Sequence, residues 1–196
     1  RAATEIQQAI GEGIHYILVW AACGAGKTEV IYGAIEEALA RQQRVLLTTP
    51  RRDVAADLHR RLQAVFGAHV AAGLYGGAAQ KYPETPVLVA TTHQAIRLAG
   101  FFALMVLDEC DAFPYTDTPM LQRAIARLGH QAGCFIQMTA TPSRKMQEQA
   151  CRSGSRLVYI PARHHGHPLP VPQIQIDKSL RRWSGRDGLA LPSGLQ

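Results

Sequence analysis

The chain has 196 residues, a hydrophobic fraction of 47%, a formal net charge of +6 and a sequence pI of 9.4. That length makes one domain with a real core the default, and no run approaches the ~18 apolar residues that a membrane span needs. No charged-then-apolar signal opens the sequence, so export is not indicated, and the basic balance favours a polyanionic partner. Cys23, Cys110, Cys134 and Cys151 are far apart with no Cys-x-x-Cys pair. That spacing argues against a zinc site or a disulfide framework and fits a reducing cytoplasm.

Short apolar runs alternate with longer amphipathic stretches, as in βαβ units. In chain order the pattern predicts a helix over 2–10, a strand over 16–20, a glycine-rich loop and a helix over 27–40. A strand over 44–49, a helix over 54–66 and strands over 70–75 and 87–91 follow. A helix over 94–99, a strand over 103–108, a helix over 120–128 and a strand over 134–139 come next, then a helix over 144–151 and a strand over 157–160. Several strands are apolar throughout, as expected of a parallel sheet covered on both faces. The expected fold is α/β: a RecA-like P-loop NTPase domain with a mostly parallel central sheet, helices on both faces and its chemistry at the carboxyl ends of the strands. Residues 1–160 would form this domain. Residues 161–196, rich in proline and histidine and then in glycine and serine, read as an interdomain linker and the truncated start of a following region. His164, His165 and His167 sit among prolines that supply no rigid metal cage.

The glycine-rich loop carries the first chemistry. Ala21, Ala22, Cys23, Gly24, Ala25, Gly26, Lys27, Thr28 and Glu29 lie between an apolar strand and a helical run. Glycines let the backbone turn successive N–H groups onto phosphate oxygens, and the helix N-terminus adds its positive end. Residues 22–29 are therefore the expected nucleotide cradle. Lys27 would supply a cation for the β- and γ-phosphates, and the Thr28 hydroxyl would ligate Mg²⁺. Ala21 stands where the general pattern has glycine. Ala-x-x-Gly-x-Gly-Lys-Thr is similar to the form seen in superfamily 2 helicases and translocases, which implies a nucleic-acid motor.

Asp108 and Glu109 end the apolar run over 104–107. Asp108 is the expected Mg²⁺ ligand and Glu109 the expected base for the attacking water; with Lys27 they form the catalytic set. Asp111 completes an Asp-Glu-x-Asp box and would contact the third motif or a partner domain. Thr139 and Thr141, after the strand over 134–139, carry hydroxyls that can exchange hydrogen-bond partners without moving charge, so they are the expected coupling residues. Three further strand ends could form a nucleic-acid track: Pro50 and Arg51, Gly76 and Gly77, and Thr91, Thr92 and His93. Each offers backbone N–H groups, hydroxyls or a guanidinium for sequence-independent phosphate contact.

Together with these motifs, Leu74-Tyr-Gly-Gly, Ala90-Thr-Thr-His-Gln, the Ala-Phe-Pro-Tyr extension over 112–115 and His-Gly-His-Pro-Leu-Pro over 165–170 make the chain resemble the ComFA family of late-competence ATPases. The resemblance covers residues 1–172, with Cys110 where the family has valine. It implies an ATP-dependent, single-stranded-DNA-stimulated translocase for DNA uptake in natural transformation, using ATP and Mg²⁺. A primosomal or branch-migration helicase is the alternative. For the chain on its own, a nucleotide- or DNA-binding module without significant hydrolysis is another. The implied partners are single-stranded DNA, a second RecA-like domain that supplies an arginine finger, and proteins of the uptake channel. The implied location is cytoplasmic, at the inner face of the membrane through partners and without direct insertion. The family's cysteine-rich zinc segment is not among these residues, so the chain reads as a first motor domain plus linker. Gln7 and Gln8 lie too far downstream to match the family's adenine-reading glutamine.

Overall fold

Alternation within each strand organises the molecule. In this computed structural model, which describes residues 1–22, 24–78 and 85–161, successive strand side chains point to opposite faces of one sheet. Ile17 and Val19 of strand β1 (Tyr16–Ala21) join one buried cluster, while Tyr16 and Leu18 join another. The same division runs through β2 (Val45–Thr49), β4 (Val87–Thr91), β5 (Leu104–Leu107) and β6 (Cys134–Thr139). The first cluster is closed by α1 (Ala2–Gly11), α2 (Tyr32–Ala40) and α3 (Arg52–Phe66). The second is closed by α4 (Thr92–Ala95), α5 (Pro119–Gln131) and α6 (Arg144–Ala150). With β3 (Ala71–Leu74) and β7 (Ser155–Ile160) the sheet order is β3-β4-β2-β5-β6-β1-β7, and every pair is parallel. The expected three-layer α/β arrangement is borne out.

Helices meet the sheet through narrow apolar stripes. Ala55, Leu58 and Leu62 form that stripe on α3; Leu121, Ile125 and Leu128 form it on α5. Pro119 opens α5 in the position where a missing N–H matters least. Ser143 caps α6 by accepting a hydrogen bond from Met146 N at 3.4 Å. Near the end of α5, Gly129 lets the helix sit against the Phe135 ring of β6; a Cβ there would lie 2.5 Å from a ring carbon.

Two predicted helices differ. The helix expected over 27–40 enters through a 3₁₀ turn, Glu29–Ile31, and becomes α-helical only at Tyr32. Val30 and Ile31 are β-branched, which lowers helix propensity, and Ile31 N bonds Thr28 O in the tighter i→i+3 pattern at 3.4 Å. The helix expected over 94–99 is a single turn, Thr92–Ala95, starting straight from β4; Arg97 and Leu98 continue it only with i→i+3 bonds. Boundaries elsewhere shift by a few residues at most, the largest being α5, which ends at Gln131 rather than 128. Among the described residues no helix is long and apolar enough to cross a membrane. The linker reading for 161–196 falls, from residue 162 onward, outside the described residues, as do His164, His165, His167 and Cys23.

Candidate nucleotide and nucleic-acid site

Because all strands run the same way, their carboxyl ends share one edge of the sheet. The glycine loop leaves β1 there. Ala22 N bonds Ile160 O at 3.0 Å and Ala25 N bonds Ala22 O at 3.1 Å, which fixes the loop's base to β7 and turns it back on itself. Gly24 and Gly26 take φ of +76° and +72°, a region in which a Cβ is strained. At Gly26 a Cβ would also lie 3.2 Å from Glu29 Oε2. Both glycines border a cavity of about 850 Å³ that also takes in Lys27, Thr28, Arg61, Asp108 and Glu109. Glu29, expected in the cradle, borders the same cavity and pairs with Arg61 at 3.6 Å, and Arg61 is in turn held by Asp57 at 2.7 Å.

Asp108 is buried and locked. Its N–H bonds Thr48 O at 2.8 Å, and its Oδ1 accepts from Glu109 N at 2.8 Å. Burial pushes its carboxyl above the ordinary range; the Glu109 N–H and the Lys27 charge pull it back, while the nearby Glu109 and Asp111 carboxylates push it further up. Glu109 has φ +50°, an uncommon state for a residue with a side chain. Its Oε2 is buried with no hydrogen-bond partner and lies 3.8 Å from Arg51 Nη1, an ion pair rather than a hydrogen bond. A buried carboxylate whose ionisation is opposed, beside a second with an unsatisfied oxygen, suits a divalent cation. Among the described residues no group of three or more His, Cys, Asp or Glu could hold a metal alone. Magnesium shared with substrate phosphates needs only one or two carboxylates, so Asp108 fits that ion.

The carboxylate loop is tied to the end of β6. Cys110 N bonds Met138 O at 3.4 Å, Thr141 Oγ1 donates to Asp111 Oδ2 at 2.5 Å, and Thr141 N donates to the buried Thr139 Oγ1 at 3.0 Å. Asp111 thus meets the third motif. Burial pushes the Cys110 thiol up to about 12, so it packs as a small apolar group. One step along the edge, Trp20 Nε1 of β1 donates to Ala140 O at 3.0 Å.

The candidate track divides by exposure. Arg51, Gly76, Gly77 and His93 reach the surface. Pro50, Thr91 and Thr92 stand on the same edge but are buried, so their side chains are not at the surface. Residue type showed a hydroxyl at a strand end but not its face. Arg51 is gripped by Asp53 through Nε–Oδ1 at 3.3 Å and Nη2–Oδ2 at 2.6 Å. Arg52, next to Arg51 in the same strand-end run, sets its guanidinium over Gly77, with Nη2 2.7 Å from where a Cβ would stand. Gln7 packs against Gly33 and Gln8 bonds Glu12, so neither lines the cavity.

Residues 1–144 match the family described as Type III restriction enzyme, res subunit. The competence protein ComFA of Bacillus subtilis is 40% identical over 175 residues, covering 89% of this chain and 37% of that protein. ComFA of Streptococcus pneumoniae is 36% identical over 177 residues, covering 87% and 40%. The chain therefore spans well under half the length of these curated relatives. Among solved structures, the UvsW helicase from bacteriophage T4 superposes with a TM-score of 0.60 at 16% identity, covering 78% of this chain and 58% of that one. The Sulfolobus solfataricus SWI2/SNF2 ATPase core, solved with dsDNA, gives 0.59 at 17%, covering 71% and 30%. At such identities these two attest the fold alone, a RecA-like domain built on a parallel sheet. The resemblance read from the motifs is borne out: the chain belongs to the family described as Type III restriction enzyme, res subunit, and within it is similar to the ComFA competence proteins.

Proposed function

We propose that this chain is the first motor domain, residues 1–160, of an ATP-dependent translocase stimulated by single-stranded DNA and used in DNA uptake. One observation carries the reading: the positive-φ glycine loop, Lys27 and the Asp108–Glu109 pair border one cavity, and the exposed Arg51, Gly76, Gly77 and His93 stand on the same sheet edge. The similarity to ComFA supports the biological setting.

In this reading the N–H groups of residues 22–28 bind the substrate's phosphates and Lys27 neutralises the β- and γ-oxygens. Magnesium, when bound by the Thr28 hydroxyl and Asp108, supplies further charge neutralisation. Glu109 Oε2, which lacks a hydrogen-bond partner, takes the proton of the attacking water. Thr139, Thr141 and Asp111 connect that chemistry to the track. Residues 161–196 would link to a second RecA-like domain whose arginine finger completes the site, a contribution worth ~10³–10⁵ in rate. Proteins of an uptake channel would hold the protein at the inner face of the membrane.

The test is ATP turnover by the full-length protein with and without single-stranded DNA, alongside Lys27→Ala and Glu109→Gln. The expected result is DNA-stimulated turnover that both substitutions abolish. Stimulated turnover that survives both would sink the assignment.

A further inference from the structure

Arg51 sits between two roles. It is exposed at the end of β2 among the candidate nucleic-acid contacts, yet its Nη1 faces Glu109 Oε2 at 3.8 Å. The rest of its guanidinium is fixed by Asp53, which holds both Nε and Nη2. This grip aims the remaining nitrogen at the carboxylate. Glu109 Oε2 has no hydrogen bond of its own, and the Arg51 guanidinium is the charge that faces it. A positive charge beside a general base attracts the carboxylate and restrains its position.

Resting on the reading of this site as a DNA-stimulated ATPase, we propose that Arg51 is a positioning residue that restrains Glu109 without DNA, and that a phosphate of single-stranded DNA releases Glu109 by competing for Arg51. Arg51 is about half-exposed, with 51% of its side-chain surface accessible, so an incoming phosphate can reach it without the fold opening. A phosphodiester carries a full negative charge and can accept from two guanidinium nitrogens at once. Glu109 offers the guanidinium only a 3.8 Å contact. The phosphate therefore has the better claim. DNA arrival would free the Glu109 carboxylate from this contact and let it face the attacking water. Stimulation by DNA then needs no change in the nucleotide cradle, because the signal acts on the base.

The experiment uses the full-length protein. Steady-state ATP turnover is measured for wild type, Arg51→Gln, Arg51→Lys and Arg123→Gln, each without DNA and with saturating oligo(dT); oligo(dT) affinity is followed by fluorescence anisotropy. Arg123, exposed on α5, controls for loss of any one positive charge. Arg51→Gln should raise DNA-free kcat roughly two- to fivefold, the modest scale of one exposed ion pair. KM for ATP should hold, and the stimulation ratio should shrink by the same factor. Arg51→Lys should return DNA-free kcat toward wild type, and Arg123→Gln should match wild type. Unchanged or lower DNA-free kcat in Arg51→Gln, with wild type stimulated normally, overturns this proposal alone. An equal rise in Arg123→Gln also overturns it. Wild type that does not respond to oligo(dT) overturns the functional reading beneath it.

Discussion

Thr141 Oγ1 donates to Asp111 Oδ2 at 2.5 Å and ties the acidic loop after β5 to the end of β6. Thr141 also uses its N–H to bind the buried Thr139 hydroxyl, so its position is set from below while its own hydroxyl reaches across. Thr141→Val keeps shape and removes the donor. We expect a stability loss of about 1 kcal/mol, typical of a lost hydrogen bond, read as a lower denaturant midpoint with unchanged m-value. DNA stimulation of turnover should fall while ATP affinity holds. A variant that binds ATP less tightly but keeps its stimulation ratio would show that the pair serves the nucleotide cradle instead.

Gly26 is held at φ +72° with Glu29 Oε2 close to its missing side chain. Gly26→Ala should cost about 1–2 kcal/mol through the left-handed backbone alone. Nucleotide affinity, measured by calorimetry, should fall roughly tenfold or more as the loop relaxes away from that conformation. Adding Glu29→Ala removes the steric neighbour and leaves the backbone strain, so the double variant should remain impaired. Full recovery in the double variant would identify the clash with Glu29 as the whole cause.

Burial holds the Asp108 carboxyl above its ordinary range. Ionising it therefore costs more in the folded chain than in the unfolded one. Below the ordinary carboxylate value both states are protonated and no penalty exists; as pH rises past it, the folded state alone carries the cost. Asp108→Asn keeps an oxygen to accept from Glu109 N. In chelator and without nucleotide it should melt above wild type at pH 7, and the difference should close below about pH 4. A pH-independent difference in Tm would mean that packing, not ionisation, separates the two.

Gly129 lets α5 approach β6 because the Phe135 ring occupies the space a Cβ would need. Gly129→Ala should destabilise by roughly 1–3 kcal/mol, as overpacking usually does. Phe135→Leu in the same chain should restore much of the loss if the ring is the obstacle. Thermal melts of the two variants decide; no rescue would locate the strain in the helix backbone.

The sequence made the nucleotide side legible because its signals are local. A glycine loop between an apolar strand and a helical run, and an Asp-Glu pair ending another apolar run, each state their place within a few residues. For Asp111 the sequence left a contact with the third motif or with a partner domain open; the hydrogen bond from Thr141 Oγ1 brings the two strand ends together. At Thr91 and Thr92 the sequence was silent on exposure, because a hydroxyl at a strand end reads the same whether its side chain turns in or out; the structure buries both. The helix over 27–40 was drawn too long because an apolar pattern does not distinguish the 3₁₀ entry at Glu29–Ile31 from the α-helix that starts at Tyr32. The pairing of Arg51 with Glu109 had no local signal. It exists because sheet order sets β2 beside β5, and strand order across a parallel sheet is a property of the whole fold.

That sheet order has a mechanical consequence. Neighbouring strands lie about 4.8 Å apart, and three contacts hop between consecutive strand ends: Arg51 to Glu109 from β2 to β5, Asp111 to Thr141 from β5 to β6, and Ala140 to Trp20 from β6 to β1. Trp20 sits one residue before β1 ends and the glycine loop begins. A relay from the outer track to the triphosphate cradle would thus need three handoffs between adjacent strands, each within the reach of a side chain, while the sheet beneath stays rigid.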